Sequence, residues 1–262
     1  MRVFLATVLL SLLSMPAQAQ TLWSRPYEPN QIAVEALVPD ADDASGLSGA
    51  TFITATASLS ENVELLTELP LARYQPSEGS GSSSALGNPF VGLGLSSTRL
   101  PFLFQVGARI PAAPSNSAAG IGNAADIGRT RAFNADEVVL SGLANGRYEI
   151  SRQSTLRIRS GLAYASRAPA ADTLSRERDW YLHYDAQLWR EGNRLITGLS
   201  FTGRSLLTSP GTSAHHLSLS MMANWDRVQP GLLVGTSLND LVQEGSFTPF
   251  AGLTLSVSYG RF

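Results

Sequence analysis

Apolar residues recur at every second position through most of this chain, and that period decides what it can fold into. In the last part, Leu217, Leu219, Met221, Ala223 and Trp225 alternate with Ser218, Ser220, Met222 and Asn224. Val228, Pro230, Leu232, Val234, Thr236 and Leu238 form a second series, and Ala251, Leu253, Leu255, Val257 and Tyr259 a third, set against Gly, Ser and Thr. A period of two is a β-strand with one apolar face and one face of small and polar groups. The same pattern runs backwards almost to the start. Long strands of this kind, joined by connections that alternate between very short and long, predict an all-β fold: a closed antiparallel transmembrane β-barrel. A soluble sandwich also has alternating strands, but it has no reason to alternate its loop lengths so regularly.

The opening residues agree. Met1-Arg2, the apolar run Val3 to Leu13 and Ala17-Gln18-Ala19 read as a signal peptide over 1–19. Residues 20–262 are then expected to form one barrel domain, with 20–30 as a periplasmic tail or a lumen plug. The apolar run is shorter than the roughly 20 residues a membrane-spanning helix needs, so strands must carry any membrane crossing. With 44% hydrophobic residues and a mean hydropathy of +0.02, composition suits either a barrel or a soluble β protein. The chain has no cysteine, which excludes disulfides, thiolate chemistry and lipid attachment through cysteine. A net charge of −2 gives no basis for nucleic-acid binding.

Taken in order, the alternation predicts about twelve strands, an even number as bacterial barrels require. The first covers Gln31 to Val38 and the last ends at Tyr259. Turns near Asn62, Arg99, Gln153, Gly192 and Asp226 are short, and every connection between them is long. If the short turns are periplasmic, both termini lie in the periplasm. Tyr74 to Gly87 and Pro111 to Arg131, rich in Ser, Gly, Ala and Asn, read as loops, the second being the longest. Trp180 and Tyr164 near the long-loop ends, with Trp225, Tyr148 and Phe262 near the short-turn ends, are expected to form two interfacial aromatic girdles.

Opposite the apolar face stand Glu64, Glu68, Arg109, Arg147, Glu149, Arg157, Arg159, His183 and Asp185. An arginine facing lipid at the bilayer midplane costs about 2 to 4 kcal/mol, so these side chains are expected to line the lumen. Two readings stay open. The charges line a pore for anionic or polar solutes, or they pair across a narrow lumen and fill it.

An enzyme is the rival class, a barrel hydrolase acting on lipid or lipopolysaccharide. His216-Leu217-Ser218 puts a histidine and a serine on one strand face, as nucleophile chemistry requires. That face, however, is the inward one, away from lipid, while His215 is in the lipid-facing phase and lacks a neighbouring serine in phase. No catalytic residue, cofactor or metal ligand set is assigned. Asp40, Asp42 and Asp43 lack the regular ligand spacing of a calcium loop.

Three segments carry a resemblance: Glu61-Asn62-Val63-Glu64-Leu65-Leu66-Thr67-Glu68-Leu69-Pro70, Phe104-Gln105-Val106-Gly107-Ala108-Arg109-Ile110-Pro111 and Gln229-Pro230-Gly231-Leu232-Leu233-Val234-Gly235. The chain resembles a Gram-negative outer-membrane β-barrel, and within that class it is similar to the meta-pathway phenol-degradation family, a relative of the long-chain fatty-acid channels. The resemblance implies a location in the bacterial outer membrane among lipid and lipopolysaccharide. It also implies insertion by the barrel-assembly machinery and passive uptake of small solutes, hydrophobic or aromatic ones among them. A closed barrel whose external loops bind a partner is the other alternative. Phe262 is out of phase with Tyr259, so either a bulge near Gly260 is expected or the terminal assembly signal is read differently.

Overall fold

The computed structural model describes residues 30–40, 44–45, 48–78, 81–97, 100–126, 128–129, 131–168, 177–208, 213–225, 227–238 and 248–259. The expected signal peptide, the segment 20–29, Asp42, Asp43, Asp226, the expected bulge at Gly260 and Phe262 lie outside them.

Thirteen strands form: β1 Gln31–Pro39, β2 Gly49–Ser60, β3 Val63–Tyr74, β4 Ser83–Leu86, β5 Phe90–Ser97, β6 Leu100–Arg109, β7 Glu137–Ser151, β8 Ser154–Arg167, β9 Glu177–Glu191, β10 Leu195–Leu206, β11 Ser213–Ala223, β12 Val228–Ser237 and β13 Thr248–Ser258. One helix, α1, covers Ser117–Ala124. Each long strand pairs antiparallel with its neighbours, and β1 pairs with both β2 and β13. The sheet therefore closes on itself as a twelve-stranded barrel without a free edge, the arrangement a sheet needs in a solvent that offers no hydrogen bonds. Gln31 at the start of β1 lies opposite Ser258 at the end of β13, so both ends of the barrel sequence sit at the short-turn rim.

The thirteenth strand, β4, corrects the reading of Tyr74 to Gly87 as loop alone. The pairing of β3 with β5 ends at Glu68, which leaves the upper end of β3 without a neighbour, and β4 covers Leu71 to Tyr74. Four residues suffice because only that overhang needs partners.

The alternation is resolved as the period of two requires. Ile158, Leu162, Leu199, Leu219, Leu232 and Leu253 are exposed on the outside, while Arg157, Arg159, Gln187, Ser220 and Gln229 are buried inside. Greasy side chains on the outer wall and polar ones within invert a soluble core, and only a lipid surround makes that stable. Of the girdle residues, Trp180 and Tyr164 pack together at the long-loop end, ring centroids 5.0 Å apart. Tyr148 and Trp225 are exposed at the other end.

The long connection between β6 and β7, residues 110–136, is more than the surface loop its composition suggests. It turns into the barrel, carries α1 and packs on β2, β3 and β4. Asn116 caps the helix, its Oδ1 accepting from the Ala119 N–H at 2.9 Å. Ala118, Ala119 and Ile121 on the helix are buried. Phe133 is the apolar anchor, 1% exposed and edge-on to Phe52 of β2 at 5.9 Å. A β-carbon at Gly122 would lie 2.4 Å from the Phe133 ring and one at Gly87 2.9 Å from it, so only glycine lets both walls close on that ring.

Candidate functional site

The site is the barrel interior, and the in-folded segment 110–136 organises it. Arg129 comes first because it joins the segment to the wall. Its Nε lies 2.6 Å from Glu68 Oε2 on β3 and its Nη2 3.5 Å from Glu35 Oε2 on β1. Its guanidinium sits over the Phe52 ring at 3.6 Å from the centroid, a cation on the negative face of an aromatic. Two residues later, Arg131 reaches the opposite wall, with Nη1 3.1 Å from Glu137 on β7 and Nη2 2.9 Å from Asp179 on β9, beside the Tyr181 hydroxyl. Arg131 holds φ 54, a left-handed conformation that a side chain of this size adopts only where its surroundings fix it. The two arginines thus brace the segment from wall to wall.

Asn88 ties both roots of the segment. Its Oδ1 accepts the N–H groups of Ala112 at 2.8 Å and Ala113 at 2.9 Å, and its Nδ2 donates to the carbonyls of Arg131 at 3.2 Å and Asn134 at 2.7 Å. The residue is 0% exposed, and its carboxamide uses both donors and both acceptors.

Most of the charged residues expected in the lumen are there, and paired. Arg109 on β6 meets Glu68 Oε1 at 2.7 Å, Arg159 meets Asp185 at 3.2 Å and Arg157 meets Glu191 at 3.0 Å. Glu64 and His183 are buried inside. Arg147 lies nearer the short-turn rim, 3.5 Å from Glu149 and 3.9 Å from Glu191. Glu149 is in the inward phase yet exposed, because the strand has reached the rim. At the heart of this network a cavity of about 80 Å³ is bordered by Glu68, Arg109, Arg129, Arg159 and His183, room for a few waters. Towards the short turns the interior is filled by the wall itself: Trp189, Met222 and Ile196 cluster there, and the Arg157 guanidinium lies 5.9 Å from the Trp189 ring centroid.

On the long-loop side of the segment a larger cavity, about 370 Å³, opens between it and the wall of β9 to β11. Arg131, Asp126, Asn123 and Asn134 form its floor, and Tyr181, Arg204 and Ser213 line its side. Asp126 accepts the backbone N–H groups of Arg129 at 2.9 Å and Ala132 at 3.1 Å. Burial pushes its carboxyl above the ordinary value, against the opposing pull of the Arg204 and Arg109 charges.

Sequence reasoning missed Glu35, Asn88, Asp126, Arg129, Arg131 and Arg204 as interior residues; Glu137 it placed on the inward face without assigning it to the site. One signal was available: Arg129 and Arg131 stand in a run rich in Ala, Ser, Gly and Asn, where two closely spaced cations need a reason.

His216 points into the barrel with Ser218, its ring edge-on to Phe250 at 6.3 Å. The expectation that His215 has no serine in phase is corrected across the strands. On the outer face the Tyr184 hydroxyl stands 2.5 Å from His215 Nε2 and 3.3 Å from Ser205 Oγ, and His215 stacks on Phe201. The pleat of β10 brings Ser205 into the same outward row, opposite Ser213, which shares the phase of His215 along β11 itself. A phenol, not the serine, faces the histidine.

No family model and no curated protein matches the chain. Solved structures do match over nearly its whole length. The KdgM porin aligns with a TM-score of 0.55 at 9% identity, covering 88% of this chain and 99% of that one. The NanC porin aligns at 0.55 and 8%, covering 87% and 100%. An outer-membrane channel of Pseudomonas putida F1 aligns at 0.54 and 11%, covering 92% and 100%. At such identities the likeness is one of fold: the chain is a closed antiparallel barrel of twelve strands, as in solved outer-membrane barrels.

Proposed function

We propose that the protein is a bacterial outer-membrane channel that passes small solutes passively through a lumen narrowed by residues 110–136. The observation that carries this reading is the wall: apolar outside, closed by hydrogen bonds, and lined within by Glu68, Arg109, Arg157, Arg159 and Asp185. Structural neighbours whose names say porin or channel support it. The resemblance to the phenol-degradation family implies hydrophobic or aromatic solutes; the charged interior favours polar ones. Lipid and lipopolysaccharide around the outer wall, and the barrel-assembly machinery during insertion, belong to the same reading. His216 set against Phe250 inside the barrel supports a channel over a lipid hydrolase.

The second reading, a closed barrel whose external loops bind a partner, is favoured by one observation: Trp189 and Met222 are 0% exposed in the short-turn half. Planar-bilayer recording of the folded protein separates the two. Discrete single-channel steps are expected, and their absence from a barrel shown to be folded leaves only the closed reading.

A further inference from the structure

Eight described arginines face the barrel interior or its mouth, and seven of them have carboxylate partners. Arg109 pairs with Glu68, Arg129 with Glu68 and Glu35, Arg131 with Glu137 and Asp179, and Arg147 with Glu149 and Glu191. Arg157 pairs with Glu191, Arg159 with Asp185 and Arg167 with Glu177 and Glu137. Arg204 on β10 differs. Among the described residues its guanidinium makes one hydrogen bond, from Nη1 to the Arg129 carbonyl at 3.2 Å, and no ion pair.

Asp126 in the same cavity attracts it only through space, and an inward cation without a directly bonded carboxylate is costly to keep unless something supplies one. Arg204 lines the cavity of about 370 Å³ on the long-loop side of the in-folded segment. That volume is in the range of about 300 to 1,000 Å³ usual for small-molecule sites. The same cavity is bordered by the carboxamides of Asn123 and Asn134, whose side chains make no hydrogen bond to the described residues. Arg131, the other cation there, is already satisfied by Glu137 and Asp179. Asp126, which borders the same cavity, has each carboxylate oxygen on a backbone N–H group and forms no ion pair with Arg204.

We propose that this cavity is a binding site for a small hydroxylated organic anion, a hydroxy-carboxylate, on its way into the lumen. Arg204 takes the carboxylate, as a planar guanidinium does well, and Asn123 and Asn134 exchange hydrogen bonds with the hydroxyls. This deepens the channel reading and rests on it for its purpose, although binding itself can be tested alone.

The test uses the full-length folded barrel in detergent, titrated calorimetrically with gluconate and with glucose as the neutral counterpart of similar size. Gluconate is expected to bind and glucose to bind much more weakly. Arg204→Gln should weaken gluconate at least about tenfold, the loss of one charge-assisted contact, while Arg204→Lys keeps most of the affinity. Asn134→Asp adds a charge of the ligand's own sign to the cavity and should also weaken gluconate, which keeps the proposal testable if Arg204→Gln fails to fold. Equal binding of gluconate and glucose, an unchanged affinity in Arg204→Gln, or no gluconate binding by wild type overturns the site. Conductance recorded on the same preparation separates the two readings. A barrel that binds without conducting keeps the site and loses the channel, and one that conducts without binding does the reverse.

Discussion

The two halves of the interior are filled by different means. Towards the short turns, the wall's own strands supply the filling: Trp189 from β9, Ile196 from β10 and Met222 from β11 meet directly. Towards the long loops, one inserted segment does the work, held by Arg129, Arg131, Asn88 and Phe133. A plug built from wall side chains moves only if the strands move. A plug built from a connection is attached at its roots, so it can shift while the barrel stays closed. The contrast locates the changeable part of the pore in residues 110–136.

The largest expected effect comes from removing that part. The β6–β7 pairing, which joins Arg109 to Val139, brings the roots of the segment together, so replacing residues 113–132 with a short Gly-Ser link leaves the wall intact. Single-channel conductance should rise severalfold. An unchanged value breaks the comparison and assigns the limiting constriction to the half around Trp189.

Next is Arg129→Ala, which removes the ion pair to Glu35 and leaves Glu68 with Arg109 alone. Breaking one partner of a buried ion pair costs about 3 to 5 kcal/mol. Urea unfolding of the vesicle-inserted barrel should show the loss, and frequent transitions to a larger conductance should accompany it. A stability equal to wild type would mean that the segment is held by Phe133 and its apolar surroundings. Asn88→Ala sharpens the picture at smaller scale. It leaves the N–H groups of Ala112 and Ala113 and two carbonyls without their partner, at about 1 to 3 kcal/mol, with the wall pairing of β5 and β6 unchanged in amide exchange.

The wall was legible in the sequence because its physics is local. A period of two needs only neighbouring residues to be read, so Leu156, Ile158 and Leu162 could be placed outward and Arg157 and Arg159 inward without any knowledge of the partner strands. The loop-length alternation followed from the same reading. The in-folded segment was illegible for the opposite reason. Its helix holds Gly120 and Gly122, poor helix formers, and survives because small residues let it lie close to Phe133 and β3. Its fastenings join residues far apart in the chain: Arg129 with Glu68 across 61 positions, and Asn88 with Asn134 across 46. Pairings at that distance leave no period to detect. Even so, Glu68, Arg109, Arg159 and Asp185, read from the strands as inward, are buried in the barrel; what the strand pattern lacked was the segment that pairs with some of them.

Because a single carboxamide, that of Asn88, fastens the outgoing and the returning ends together, the segment cannot fray from one side. Loosening either end releases the other. Any movement is then expected to be concerted, and current traces should show two well-separated levels with abrupt passages between them rather than a continuous drift.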